Sequence, residues 1–175
     1  MVDNDFSRAL VSAGGKPTPV LARDTVTLRP VGWADPDAVL LREEMAAEVG
    51  PRYARLMRTL PTDPHRIDPA TVVRTVVAYG PDPVGHAAIR RNGSDLELKR
   101  MFVRPGHRGR GISDLLLTAA EDTARAHGVP RLILQTGHLQ PAAVRFYLRR
   151  SYHRIPLFSP YEHLPLSNCF AKQLV

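Results

Sequence analysis

Between Leu96 and Thr136 the chain changes its apolar period twice. Leu96 to Val103 alternates as a strand does, Ile112 to His127 repeats at helical spacing, and Arg131 to Thr136 returns to a short apolar run around Leu132, Ile133 and Leu134. On the helical segment, Ile112, Leu115, Leu116, Ala119 and Ala120 share one face, while Asp114, Glu121, Asp122 and Arg125 lie away from it. Gly128 offers a left-handed stop and Pro130 bars continuation. A strand, a one-sided helix and a buried-type strand restrict the fold to one in which helices cover a sheet.

The flanking sequence extends that layout. Val26 to Val31 reads as a first strand, and Asp35-Pro36 as a helix start with a capping acid and proline at the first helical position. That helix is expected to reach about Val49, where Gly50-Pro51 interrupts it, with a second short helix over Arg52 to Thr59. After the proline-rich stretch 61–69, Thr71 to Tyr79, Val84 to Arg90 and Leu96 to Val103 form a three-strand meander, with Asn92-Gly93 as a hairpin signal. Gln140-Pro141 opens another helix to about Arg150, and two strands follow near Tyr152 to Ile155 and Asn168 to Leu174. The expected class is α/β: a mixed central sheet with helices on both faces. Residues 1–23 read as an N-terminal arm and 24–175 as a single domain.

Composition narrows the chemistry. The start, Met1 to Arg8, is acidic and no apolar run follows, and no stretch reaches the length of a membrane span, so a cytoplasmic protein without membrane contact is expected. A single cysteine, Cys169, excludes an internal disulfide framework and reads as a core residue. The seven histidines show no metal-binding spacing; each, His107 and His138 included, reads as structural or exposed, and no metal is expected. The formal charge of +7 points to an anionic partner. Lys99, Arg100, Arg104, Arg108 and Arg110 form one acid-free group, and Arg145, Arg149, Arg150 and Arg154 another.

The first group frames Arg108-Gly109-Arg110-Gly111-Ile112-Ser113, which joins a strand to the strongest helix. A helix N-terminus presents unpaired backbone N–H groups and the positive end of the helix dipole. Glycines 109 and 111 let that backbone approach an anion, and the flanking arginines add charge. This is a recipe for a pyrophosphate site. The spacing is neither that of a P-loop nor that of a dinucleotide fingerprint.

The run from Val103 to Ser113, followed by Leu115-Leu116, resembles motif A of the GNAT superfamily of N-acetyltransferases, Arg/Gln-x-x-Gly-x-Gly/Ala between a strand and a helix. Ala142-Ala143, Phe146-Tyr147 and Tyr152 resemble the helix of that family's motif B. The likeness spans about Val72 to Leu174. Ser113 stands where glycine or alanine is usual, Gln140 where many members have asparagine, and Ser151 where glycine is usual. The stretch from Ile155 to Phe158, with Tyr161 and Cys169 to Lys172, resembles a bacterial subgroup acting on small molecules.

The resemblance implies a GNAT-like fold and acetyl-CoA as co-substrate, bound where the two strands Glu97 to Val103 and Arg131 to Thr136 splay apart. It implies that Met101, Phe102 and Val103 receive the pantetheine arm and thioester, and that Arg108, Gly109, Arg110, Gly111, Ile112 and Ser113 hold the pyrophosphate. The reaction implied is direct attack of an amine on the thioester in a ternary complex. Glu97 falls where members carry a base, acting directly or through water, and Tyr147 matches the acid that protonates the thiolate. The acceptor is expected between Met45 to Leu60 and Phe158 to Ser167, with Arg52, Tyr53 and Arg55 as candidate carboxylate partners.

An amine on a small molecule is the first expectation for the acceptor. A protein or aminoacyl-tRNA amine is the alternative. From other classes, a non-catalytic acyl-CoA sensor and a nucleic-acid binder remain, although no base-reading helix or RNA-binding aromatic motif supports the latter. Many relatives dimerise, but the sequence carries no dimer signal.

Overall fold

The computed structural model describes residues 26–60 and 63–174. The expected N-terminal arm lies outside the described residues. In chain order the elements are β1 (Thr27–Val31), α1 (Pro36–Met57), β2 (Val72–Tyr79), β3 (Pro83–Asn92), β4 (Asp95–Val103), α2 (Ile112–Ala126), β5 (Arg131–Gly137), α3 (Pro141–Arg149), β6 (His153–Ile155) and β7 (Ser167–Gln173). The strands form one sheet in the order β1-β2-β3-β4-β5-β7-β6. Every neighbouring pair is antiparallel except β4 and β5, which run parallel and are joined through α2. The sheet is therefore mixed, as the sequence pattern implies.

Alternation along the strands sorts side chains to two faces. Val76 and Ala78 of β2, Ala87 and Ile89 of β3, and Leu96 and Leu98 of β4 join Leu116, Ala120 and Tyr147 in the larger core, on the α2–α3 side. Val77 and Phe102 instead meet Ala38 and Leu41 of α1 on the opposite face. Gly85 is required by the first layer. A Cβ there would lie 3.1 Å from both the Leu116 side chain and the Phe102 carbonyl.

Two expectations need correction. The helix α1 does not break at Gly50-Pro51 but runs through Pro51 to Met57. Proline inside a helix costs about 3 kcal/mol; here the helix is anchored on both sides of Pro51, by Ala38, Leu41 and Met45 before it and by Leu56 against the cluster of Tyr161, Leu164 and Cys169 after it. On α2 the apolar face is rotated from the expected one. Leu117 is buried and Leu115 exposed, and Glu121 is buried, where it accepts from Lys172 (2.9 Å) and Tyr152 (3.3 Å). Three consecutive leucines leave the face ambiguous by one residue, and a buried acid with remote partners looks like a surface acid in sequence.

On the α1 face, His86 of β3 is fully buried. Its Nδ1 lies 2.9 Å from the Arg100 carbonyl and its Nε2 3.3 Å from the Arg42 guanidinium. The carbonyl needs a donor and the guanidinium an acceptor, so the ring is the neutral Nδ1–H tautomer. Burial and the two nearby arginines lower its pKa to about 4. An unfolded chain takes up that proton near pH 6.5, whereas the native state resists until about pH 4. Stability is thus complete above about pH 6.5 and declines as pH falls toward 4, by about 3 kcal/mol at most for this one group. We expect the urea midpoint to fall through that window and His86→Gln to flatten the slope, leaving the part due to His65, whose pKa is also lowered to about 4 by burial. An unchanged slope in the variant would refute this account.

Candidate functional site

The parallel pair β4 and β5 is joined at Leu96↔Leu132, Glu97↔Ile133 and Leu98↔Leu134, and there the pairing ends. Both strands continue, to Val103 and Gly137, with a gap between them. The cause is local to β4. Its register against β3 jumps between Ala88↔Lys99 and His86↔Phe102, and the extra residue, Arg100, has φ of 54°. Such a bulge bends a strand away from its neighbour. A non-glycine residue is held there by side chains from elsewhere: His86 donates to its carbonyl, and its own guanidinium donates to the His65 carbonyl at 3.0 Å.

The gap opens into a cavity of about 340 Å³. Leu98 to Met101 form one wall and Gln135 to Gly137 the other; α1 from Met45 to Met57 closes one side, and Leu164 to Ser167 with Ala143 and Tyr147 complete the lining. The expected acceptor segments Met45 to Leu60 and Phe158 to Ser167 both contribute. Of the three candidate carboxylate partners, Tyr53 lines the cavity and Arg52 and Arg55 do not.

The basic loop follows β4 at the open end of the gap. Gly109 and Gly111 have φ of 76° and 81°, so both need the freedom of glycine. Gly111 is the N-cap of α2 and no side chain caps the helix. The amides of Gly109, Gly111 and Ile112 make no backbone hydrogen bond among the described residues. These free donors and the helix dipole form an anion cradle. Met101 and Phe102 lie on the β4 edge leading to it. The Val103 carbonyl, by contrast, accepts from Arg108 Nε at 2.9 Å.

The acid-free arginine groups are not free in space. Arg104 is paired bidentately with Glu44 (2.8 and 2.7 Å), and Arg108 with Glu48 (2.6 Å). Glu44 and Glu48 are one turn apart on α1, so two arginines after β4 pin that helix across the sheet. The Arg104 hydrogen bond holds the Glu44 carboxyl below its ordinary pKa. In the second group, Arg150 pairs with Asp114 in the first turn of α2, and Arg154 bonds Asn168 and lies over the Phe170 ring. Sequence proximity could not reveal partners 60 residues away.

Glu97 is fully buried and does not line the cavity. One carboxylate oxygen accepts from Arg90 Nε (2.8 Å), Arg90 Nη2 (2.7 Å) and Asn92 (3.1 Å). The other accepts from Tyr161 (2.8 Å) and lies 3.5 Å from Lys99 Nζ. A carboxylate so engaged is an anchor for its neighbours, and direct contact with a bound amine is not what this geometry offers. Lys99, in contrast, lines the cavity while hydrogen-bonding Tyr161. Burial, set against the nearby Glu97 charge, lowers its pKa to about 8. His65, also on the cavity wall, lies against Tyr161 with ring centres 5.8 Å apart. From sequence Lys99 stood only as one of a basic group and Tyr161 only as part of a family-like stretch, neither with a role in the site, and His65 was missed. The only available signal was Lys99 two residues after Glu97 on one strand face.

Tyr147 of α3 reaches the cavity from the other layer, packed edge-on against Phe146 and Tyr152. Burial raises its pKa, so it remains a protonated phenol, and its hydroxyl makes no hydrogen bond among the described residues. His107 and His138 do not line the cavity. Among the described residues no cluster of three or more potential metal ligands occurs, and no helix is long and apolar enough to cross a membrane.

Residues 39–152 match the family model described as the Acetyltransferase (GNAT) family. An IAA acetyltransferase of Azospirillum brasilense is 40% identical over 90 residues, covering 51% of this chain and 59% of that protein. A streptothricin acetyltransferase of Streptomyces lavendulae is 35% identical over 83 residues, 45% of this chain and 44% of that protein. The match thus spans less than two thirds of either curated relative. A solved Klebsiella pneumoniae structure, assigned as an acyl-CoA N-acyltransferase, superposes with a TM-score of 0.71 at 29% identity, covering 87% of this chain and 99% of that one.

Across the mouth of the gap, the Tyr53 hydroxyl accepts from the Leu139 amide at 2.9 Å. It passes so close to Gly137 that a Cβ there would collide with the phenol. We therefore expect Gly137→Ala to displace Tyr53 and lower stability by about 1–3 kcal/mol. Tyr53→Ala should remove most of that penalty in a double-mutant cycle read by urea denaturation. Additive effects would mean the two residues do not share this space.

Proposed function

The chain belongs to the acetyltransferase (GNAT) family, and on that premise we propose that it transfers the acetyl group of acetyl-CoA to a primary amine of a small molecule, by direct attack in a ternary complex. The observation that carries the proposal is the parting of β4 and β5 beyond Leu98 and Leu134, with the uncapped start of α2 at the open end. The names of both curated relatives refer to small molecules, which supports a small acceptor.

The residues fit such a co-substrate. The amides of Gly109, Gly111 and Ile112 make no backbone hydrogen bond among the described residues and can receive a pyrophosphate, and positive φ at Gly109 and Gly111 brings the backbone close to it. Arg108 contributes charge from beside the loop while it braces α1, and Arg110 stands within the loop. Met101 and Phe102, on the unpaired edge of β4, supply the backbone donors and acceptors for an extended thioester arm. Val103 serves the same edge as a strand residue, with its carbonyl taken by Arg108. Fixed donors of this kind polarise a thioester carbonyl without reorganising.

An alkylammonium acceptor with a pKa near 10 must lose a proton before it can attack. Glu97 enters this scheme as the anchor of the charged cluster behind the cavity wall. Tyr147, kept protonated and with no hydrogen bond to its hydroxyl among the described residues, gives its proton to the departing thiolate in this scheme.

The first test is calorimetric titration with acetyl-CoA, followed by thiol release with ethanolamine, benzylamine, spermidine and single amino acids. Saturable binding and release with one of these amines is expected; absence of binding at millimolar acetyl-CoA would overturn the proposal. Gly111→Val, which strains the left-handed turn and covers the cradle, should weaken acetyl-CoA binding about tenfold or more. Tyr147→Phe should lower kcat by about 10–100-fold while acetyl-CoA affinity stays within about threefold. The reverse pattern would make Tyr147 a packing residue.

A further inference from the structure

The acceptor's proton needs a destination, and Glu97 does not reach the cavity. Of the buried cluster, Lys99 is the member that lines it. Lys99 and Glu97 are two residues apart on β4 and share the α1 face of the sheet. Tyr161 donates its hydroxyl proton to Glu97, so towards Lys99 its oxygen acts as acceptor. Nζ therefore points one N–H at Tyr161 and a second towards Glu97 at 3.5 Å. The third position on nitrogen is left for a group in the cavity.

We propose that Lys99 is the residue that takes the proton from the acceptor amine, and that Tyr161 and Glu97 are positioning residues that orient its nitrogen. The assignment rests on the transfer function proposed above. Neutral Lys99 uses its lone pair to bind a proton of the acceptor ammonium. The N–H bond breaks and its electron pair stays on the acceptor nitrogen, which then attacks the thioester carbonyl. The C–S bond breaks and the thiolate takes the Tyr147 proton; the acylated nitrogen gives up its second proton, which restores the Tyr147 phenol, and Lys99, now an ammonium, returns its proton to water.

The surroundings bring the neutral form within reach without abolishing the charged one. Facing Lys99 are Glu97 and Arg100 from β4, Arg90 from β3, Tyr161 and Cys169 from the last part of the chain, and His65 from the segment after α1. His65 is itself uncharged at neutral pH, with its pKa lowered to about 4. Two arginines and burial oppose one carboxylate, and Lys99 titrates at about 8, within reach of working pH.

The chain has three lysines, Lys16, Lys99 and Lys172, so protein labelled with [ε-13C]lysine resolves each titration by NMR. We expect the Lys99 midpoint to coincide with the acid limb of kcat/KM measured with the panel amine of highest turnover. Glu97→Gln, which removes the anion, should move midpoint and limb downward together; Tyr161→Phe, which keeps the charge balance, should shift both if Glu97→Gln fails to fold. Lys99→Met and Lys99→Arg should each lose about 100-fold or more in kcat with acetyl-CoA affinity within about threefold. Arginine keeps the charge but cannot deprotonate. Rescue by Lys99→Arg, or a limb that stays fixed while the Lys99 midpoint moves, would overturn the assignment and leave the transfer reading standing. Wild-type protein that binds acetyl-CoA but acetylates no amine would overturn both.

Discussion

The hydrogen bond from buried His86 to the Arg100 carbonyl fixes the point at which the sheet ceases to be a sheet. Arg100 is the extra residue of the β4 bulge and sits at positive φ, a conformation an arginine does not choose unaided. His86 receives the bulged carbonyl from one side, and Arg42 of α1 holds the ring from the other. Burial keeps the imidazole neutral, and only the neutral ring can donate to the carbonyl and accept from the guanidinium together. Without that clamp β4 could continue straight beside β5, and the two strands would close the gap that makes the cavity. The function thus depends on a defect in strand pairing that the surrounding side chains enforce.

The excess positive charge also has a structural explanation. Arg104 and Arg108 follow β4 directly and reach back to Glu44 and Glu48, which face them from one side of α1. Each partly exposed pair contributes little, about 0–1 kcal/mol. Their importance is geometric, since they set the distance between α1 and the end of β4 and so the width of the cavity mouth. Arg108 also ties off the Val103 carbonyl, so the free backbone edge for a ligand is shorter than motif likeness implies. Arginine suits this work because its planar fork bonds a carboxylate or a carbonyl without a change of protonation.

Much of this was legible in the sequence because it is local. Element order, the hairpin at Asn92-Gly93, the stop at Gly128 and the glycine-punctuated loop all follow from residues within one turn or strand of each other. The proposed cofactor side of the site is one continuous run, so its candidate residues could be named in order. What failed to show needed long-range contact. Glu97 looked like an available base because Tyr161, one of its partners, lies 64 residues away. The acids that pair with the arginines lie on another helix. Helix α1 continued through Pro51 because packing outweighed a local propensity that sequence reading rightly scored as unfavourable.

The buried cluster explains why a carboxylate at position 97 is kept behind the cavity wall. Arg90, and Lys99 whenever it is protonated, place positive charge behind and on the cavity wall, and a single acid between them is what makes their burial tolerable. Replacing all three by apolar residues could yield an equally stable sheet. It would also erase the difference between the two walls of the gap. One wall, β5, presents Gln135 and Thr136, which hold no charge at any ordinary pH. The other, β4, presents an ammonium whose charge the cluster leaves close to balance, beside a backbone edge freed by the bulge. A thioester laid along that edge and an amine entering from the α1 side would meet next to Lys99. Bulge, buried acid and a helix that runs on through Pro51 are therefore parts of one arrangement, in which each unfavourable local choice has its partners elsewhere in the fold.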